Sequence, residues 1–350
     1  MTRSFGDLTA ILSHDFDTVI DVRSPAEFAE DHVPGAINLP ALSNTQRAEV
    51  GTIYKQHDPF TARKLGAAMV ARNVADYVDG PLNAHDGSWR PLVYCWRGGQ
   101  RSGSVATILQ QIGWRAEVVN GGYQAYRRLV FRYLYEALLP HRLILLDGYT
   151  GTAKTALLHR LSSRGIQTLD LEGLAAHRGS LLGGIPGGQP AQKGFESALA
   201  AQLSRLDPDR PTIVEAESSK IGRLMLPKQL WQRMTESPRI EVTASLPARA
   251  AFLTDAYADI IADPVALRDR LQPLRTIRGH AVVDAWEALL DTGEFVTLAT
   301  ALMDQHYDPS YDRSRKSDTR DWLGQVHADT LDGSGQETTA DALAALIRRL

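Results

Sequence analysis

Twice in this chain a short apolar run halts at a glycine-rich loop, and a helical pattern starts at once. In the first case Pro91-Leu92-Val93-Tyr94 leads into Cys95-Trp96-Arg97-Gly98-Gly99-Gln100-Arg101-Ser102, and Val105, Ile108, Leu109 and Ile112 follow at i, i+3, i+4 and i+7. In the second, His141-Arg142-Leu143-Ile144-Leu145-Leu146 leads into Asp147-Gly148-Tyr149-Thr150-Gly151-Thr152-Ala153-Lys154-Thr155, followed by Leu157, Leu158 and Leu161. Strands alternating with helices build parallel sheets, and such sheets bind ligands beyond the carboxyl ends of their strands. Both loops fall there. Consecutive N–H groups of such a turn, with the free N–H groups of the new helix, make an anion-binding nest.

At 350 residues the chain exceeds what one core usually organises, so two domains are expected. Hydrophobic content of 43% and charged content of 23% fit an ordinary soluble globular protein. No apolar run approaches the roughly 18 to 20 residues that span a bilayer, and Met1 to Asp7 lack the apolar core of a secretory signal. The single cysteine excludes an internal disulfide and a Cys-rich zinc site, and it fits a reducing cytoplasm. A net charge of −3 argues against indiscriminate nucleic-acid binding while leaving room for a local basic face.

Cys95 sits where the loop dipoles and the charges of Arg97 and Arg101 are expected to lower its pKa and arm it as a nucleophile. Upstream, Thr18-Val19-Ile20 is a short strand, and Ser24-Pro25-Ala26-Glu27 opens a helix with a Ser cap, Pro at the first position and Glu at the third. Asp21 and His32 read as residues that satisfy local backbone groups rather than as catalysts.

Asp21-Val22-Arg23-Ser24-Pro25-Ala26-Glu27-Phe28, His32 to Pro40, Cys95 with Gly98 and Arg101-Ser102, and Gly121-Gly122-Tyr123 together resemble the rhodanese family. The likeness covers roughly the first 130 residues. Five residues separate Cys95 from Arg101, a spacing that resembles the phosphatases built on the same fold, although Tyr94 stands where those enzymes have His. A longer loop makes a wider cradle, suited to a phosphate-like oxyanion or a larger chalcogen.

From Tyr123 to Tyr135, aromatics alternate with arginines at helical spacing. Two readings are open for Arg127, Arg128 and Arg132: a solvated face of an amphipathic connector, or a contact to a nucleic-acid backbone with tyrosines stacking on unpaired bases. The second loop resembles a P-loop, with Gly148 and Gly151, Lys154 to neutralise phosphate charge and Thr155 able to ligate Mg²⁺. Ala153 takes the place of the usual second glycine and is expected to crowd the phosphate. Glu215 and Glu217 end a third strand, placed to hold Mg²⁺ through water. Arg249 opens a helix near the phosphate face. Gly183 to Pro190 reads as a mobile lid. His306 to Tyr311 with Arg313-Ser314-Arg315-Lys316 makes a basic, aromatic stretch.

The expected fold is therefore α/β: a rhodanese-like parallel-sheet domain over 1–125, a helical connector over 126–140, a P-loop NTPase-like α/β domain over 141–310 and a C-terminal extension over 311–350. The two halves in this order resemble the tRNA 2-selenouridine synthase family. The likeness also rests on Asp170-Leu171-Glu172-Gly173, His177-Arg178-Gly179-Ser180, Gln189-Pro190, Glu215 with Glu217-Ser218, and His306-Tyr307-Asp308-Pro309.

That resemblance implies a transferase acting on tRNA with a wobble 2-thiouridine. Its co-substrates would be geranyl diphosphate and selenophosphate, with an S-geranyl intermediate and selenophosphate synthetase as a further candidate partner. It implies Cys95, Arg97 and Arg101 as catalytic residues, with Trp96, Gly98, Gly99 and Ser102 as the selenophosphate loop. Gly148, Gly151, Lys154 and Thr155 would bind pyrophosphate, supported by Asp170, Glu172, His177, Arg178, Glu215, Glu217 and Arg249. A rhodanese-type sulfurtransferase or phosphatase coupled to a nucleotide-binding module is the alternative.

Overall fold

The computed structural model describes residues 1–315 and 319–350, so Lys316 of the basic stretch lies outside the described residues. The chain divides into two compact units, one of residues 1–138 with 190–205 and one of 139–189 with 206–350.

The first unit carries strands β1 (Thr2–Arg3), β2 (Thr18–Asp21), β3 (Ile37–Asn38), β4 (Pro91–Tyr94) and β5 (Glu117–Val119), in the order β1-β5-β4-β2-β3. Every pairing is parallel. The central strand β4 is buried throughout, as expected of a run covered on both faces. Ile20 and Val93 share a core with Val105 and Leu109 of the helix Gln100–Ile112 and with Val70 and Val74 of the helix Pro59–Asp79. The helix after the cysteine loop ends at Gly113, whose φ of 111° is a left-handed stop that glycine adopts without penalty.

The stretch expected to connect two domains belongs to the first unit. Tyr123, Tyr126, Leu129 and Val130 of the helix Gly122–Phe131 are buried there, as is Leu134 in the π-helical turn Arg132–Glu136. Their stripe finds its partner in the helix Gln192–Leu203, which returns to this unit from far along the chain. The first unit therefore runs past the expected boundary at 125, to Leu138, and includes 190–205.

The second unit carries β6 (Arg142–Asp147), β7 (Gln167–Leu169), β8 (Pro211–Glu215), the short hairpin β9 (Lys220–Ile221) and β10 (Leu224–Met225), β11 (Arg239–Ala244) and β12 (Trp322–Ala328). Its five-stranded parallel sheet runs β12-β11-β6-β8-β7. The stretch expected as a C-terminal extension is thus part of this sheet. β12 forms its edge, and Leu343, Ala344 and Ile347 of the helix Gly333–Ile347 share a core with Leu157, Leu158 and Leu161. Helices Pro264–Leu271, His280–Asp291 and Phe295–Leu302 add a separate apolar cluster around Trp286.

The glycine-rich segment before Pro190 is hydrogen-bonded at both of its ends. Gln189 Nε2 donates to the carbonyls of Ala175 (3.2 Å) and Ile221 (2.9 Å), its Oε1 accepts from Arg223 N at 2.7 Å, and Arg178 N donates to Gly183 O at 2.8 Å.

Candidate functional site

Cys95 ends β4 and is 4% exposed. Behind its loop, Tyr123 N donates to Cys95 O at 2.8 Å and Gln124 N to Trp96 O at 3.0 Å. Gly98 sits at φ 67°, and a Cβ there would collide with the carbonyl of Val119. Only glycine lets the loop lie this close to the Gly121-Gly122 turn.

Burial is the largest influence on the Cys95 thiol and pushes its pKa up. The Ser102 hydroxyl, 3.2 Å from Sγ, and the backbone N–H groups of Ser102, Gly99 and Arg97 outweigh it, so the pKa lies below the usual thiol value. The expected guanidinium contribution is not where the structure puts the effect. Arg97 Nε donates to Gln124 Oε1 at 3.2 Å, and Arg101 is paired with Glu27 at 2.9 Å. Loop dipoles and one hydroxyl make the thiolate nest, with Trp96 at the rim, its ring 5.3 Å from that of Tyr123.

Asp21 and His32 are engaged locally. Asp21 grips the buried Arg23 at 2.6 Å, and the Arg23 guanidinium lies 3.8 Å from the centre of the Tyr123 ring. His32 stacks on Phe28 at 3.8 Å and places Nδ1 2.9 Å from Phe28 O.

The three arginines of the Gly122–Phe131 region separate. Arg127 is tied to the buried Glu196, which also accepts from Tyr135 Oη at 2.8 Å, while Arg128 and Arg132 are exposed. Tyr123 and Tyr126 are 3% and 0% exposed, so they offer no stacking surface; the exposed aromatic here is Phe131.

In the second unit the loop after β6 curls round Lys154, whose Nζ donates to Gly148 O at 2.9 Å. Thr155 Oγ1 donates to Glu172 Oε2 at 2.6 Å. Glu172 and Glu217 converge over Gly179, where a Cβ would meet Glu172 Oε1 at 2.5 Å and Glu217 Oε1 at 2.7 Å. Burial first, then the neighbouring Glu172, pushes Glu217 up to about 8. Lys154 lies above its usual value despite burial, because Tyr311, Glu172, Glu217 and Asp147 favour its charge. Lys154, Thr155, Glu172, Arg178, Glu217 and His306 all line one cleft of about 720 Å³.

Ala153 adopts the left-handed conformation expected of the missing glycine (φ 57°, ψ 28°). Its methyl packs with Ala328 and Leu331 in a small apolar cluster, which accounts for an alanine here.

The other supporting residues act around the cleft. Asp170 caps the helix Leu171–Ala175 through Gly173 N at 2.6 Å and meets His159 Nε2 at 2.6 Å. Glu215 is fully buried, accepts from Leu171 N at 3.0 Å and is held well above the carboxylate range by burial. Arg178 pairs with Asp259 at 2.9 Å. His177 lies below its usual pKa through burial, with a buried Nδ1 that has no hydrogen-bond partner among the described residues. Arg249 is 3% exposed, paired with Asp308 at 2.8 Å and packed behind Gly151, so it props the loop from below.

Among the described residues no group of three or more His, Cys, Asp or Glu side chains is placed to hold a metal ion. The oxygens of Thr155 and Glu172 still suit Mg²⁺, which commonly takes one or two protein oxygens and completes its shell with phosphate and water. Sequence reading missed Tyr257 on the cleft wall and Glu27 as the partner of Arg101, and it named the stretch holding Tyr307 and Tyr311 without placing it on the cleft. Tyr257 caps the helix Leu246–Ala256, while Tyr307 and Tyr311 lie in helical turns further along, and no local spacing reveals their relation to the loop.

Residues 4–129 match the family model described as "Rhodanese-like domain", and residues 141–270 match "tRNA 2-selenouridine synthase AAA domain". The chain is 36% identical over 274 residues to the tRNA 2-selenouridine synthase of Nitrosomonas europaea, covering 76% of this chain and 69% of that one. It is 37% identical over 254 residues to that of Aeromonas salmonicida, covering 72% and 67%, and 33% identical over 304 residues to that of Nitrosomonas eutropha, covering 85% and 77%. With a cysteine loop on one sheet, a P-loop-like turn round Lys154 on the other and likeness of this extent, the chain belongs to the tRNA 2-selenouridine synthase family.

Proposed function

We propose that this protein converts wobble 2-thiouridine of tRNA to 2-selenouridine in two stages. In the first, the 2-thio sulfur attacks C1 of geranyl diphosphate, forms the S–C bond and releases pyrophosphate. Lys154 and the loop N–H groups stabilise the charge that develops on the leaving group. Mg²⁺, when bound at Thr155 and Glu172, would supply further neutralisation of that charge. In the second stage a selenium nucleophile adds at C2 and the alkylated sulfur departs as geranyl thiolate. A bare thiolate-like sulfur is a poor leaving group, so alkylation gives the exchange its direction.

The Cys95 nest is assigned selenophosphate, a tetrahedral oxyanion matched to a ring of N–H donors, with Arg97 beside it. The Cys95 thiolate is the nucleophile on phosphorus: the S–P bond forms as the Se–P bond breaks, the selenide released is the nucleophile at C2, and water then frees phosphate from Cys95. Arg101 then positions the loop through Glu27 unless the anion draws it away. Arg128 and Arg132 are the cations assigned to the tRNA backbone, and selenophosphate synthetase is the expected supplier of the selenium donor. The observation that carries this reading is the pair of anion cradles, one round a thiol and one round an amine, in a single chain of this family. Mass spectrometry of tRNA nucleosides tests it. Geranyl diphosphate alone should give S-geranyl-2-thiouridine, and both co-substrates together should give 2-selenouridine. A plain sulfurtransferase would need neither geranyl diphosphate nor the second unit.

A further inference from the structure

Beside the phosphate-loop cleft lies a smaller cavity of about 70 Å³ whose walls are almost wholly apolar. The two share Thr150, Ser180, Leu253, Tyr257 and Tyr307, so one opens beside the other along the rim of the loop that holds Lys154. The far wall is Ile260, Leu267, Phe295, Leu298, Ala299 and Leu302, from helices that pack round Trp286. At the shared rim, Ser180 Oγ and Tyr257 Oη are hydrogen-bonded to each other at 3.0 Å.

We propose that this cavity receives the distal end of the hydrocarbon chain of a prenyl diphosphate whose diphosphate sits on the Lys154 loop. The inference rests on the reading that this loop binds the diphosphate of the alkyl donor. It adds where the chain goes and what limits its length.

A nucleoside is excluded from the cavity by chemistry. A purine carries ring nitrogens and an amino group that lose hydrogen bonds to water, and the apolar far wall returns none. A branched hydrocarbon loses nothing and gains burial. Size separates the candidates further. An engineered apolar cavity of roughly 150 Å³ takes benzene, so one of about 70 Å³ takes only the few terminal carbons of a chain. The carbons nearer the diphosphate then lie in the adjoining cleft, against Leu253 and Tyr257. Ala299, half-buried on the far wall and absent from the cleft lining, is the residue whose enlargement closes the cavity without touching the phosphate loop.

The test is calorimetric titration of the full-length protein with inorganic pyrophosphate, dimethylallyl diphosphate and geranyl diphosphate, for the wild type, Ala299→Phe and Lys154→Ala. Wild type should bind more tightly as the chain lengthens, and Ala299→Phe should weaken geranyl diphosphate by about tenfold, the weight of roughly two buried methylene groups. Its affinity for pyrophosphate should stay within about twofold, which also shows that the variant is folded. Equal binding of all three ligands by the wild type overturns the inference, as does an Ala299→Phe protein that keeps its geranyl diphosphate affinity; either leaves the loop assignment standing. A parallel fall in pyrophosphate and geranyl diphosphate affinity in Ala299→Phe also overturns it. Should pyrophosphate fail to bind the wild type, or bind Lys154→Ala equally well, the underlying reading falls and the inference with it.

Discussion

The hydroxyl of Ser102 lies 3.2 Å from the sulfur of Cys95, on the first turn of the helix that leaves the loop. That contact and the loop N–H groups, rather than the two arginines, hold the thiol below its ordinary pKa. Ser102→Ala should therefore slow iodoacetamide alkylation of Cys95 at neutral pH by about 2- to 10-fold, the weight of one hydrogen bond. The pH midpoint of alkylation should move upward. Arg101→Ala, whose charge Glu27 already offsets, should move it less. The reverse ranking would return the effect to the guanidinium.

Glu217 gives the second unit a pH dependence of definite sign. Its carboxyl is pushed up to about 8 in the folded protein by burial and by Glu172, while the unfolded chain titrates in the usual carboxylate range. The folded state therefore binds the extra proton between those limits. This contribution to stability is complete below the unfolded pKa and is lost as pH rises through about 8. Denaturant titrations from pH 5 to 9 should show stability falling with pH, and Glu217→Gln should flatten that slope. An unchanged slope in the variant would exclude Glu217 as its source.

Arg127 and Arg128 are neighbours in sequence with different expected roles. Arg127 is ion-paired with the buried Glu196, so Arg127→Ala should cost about 3 kcal/mol by leaving a buried charge unpaired. Arg128→Ala with Arg132→Ala should change stability by no more than about 0.5 kcal/mol. If these two exposed residues meet tRNA phosphates, the double variant should bind tRNA more weakly and with a shallower salt dependence. A wild-type salt slope in the double variant would remove them from the interface.

Ala153→Gly tests the departure in the phosphate loop. Glycine relieves a left-handed backbone worth about 1 to 2 kcal/mol. It gives up a buried methyl of about 0.8 kcal/mol and adds unfolded-state entropy of about 0.5 to 1 kcal/mol. These nearly cancel, so thermal unfolding should place the variant within about 1 kcal/mol of the wild type. A large loss would mean that packing against Ala328 and Leu331 decides the residue.

Local pattern made much of this molecule legible. The apolar runs at Pro91–Tyr94 and Arg142–Asp147, the glycines after them and the helical spacing beyond are short-range signals, and the strands and loops stand where they point. Long-range packing was not legible. The helix Gln192–Leu203 joins the first unit through a contact that no nearby residue announces. β12 completes the second sheet from near the C-terminal end, although Val326 and Ala328 alternate with polar neighbours as an edge strand should. At the sites, residue types were readable but partners were not: Arg101 near a cysteine invites a catalytic pairing, and only the fold reveals Glu27.

Division of labour between the two cradles is the central claim, and one measurement meets it directly. Wild-type, Lys154→Ala and Cys95→Ala proteins are each incubated with 2-thiouridine tRNA, geranyl diphosphate and selenophosphate, and the nucleosides are resolved by mass spectrometry. The account predicts unmodified 2-thiouridine from Lys154→Ala and accumulated S-geranyl-2-thiouridine from Cys95→Ala. Geranylated nucleoside from Lys154→Ala, with none from Cys95→Ala, would contradict it.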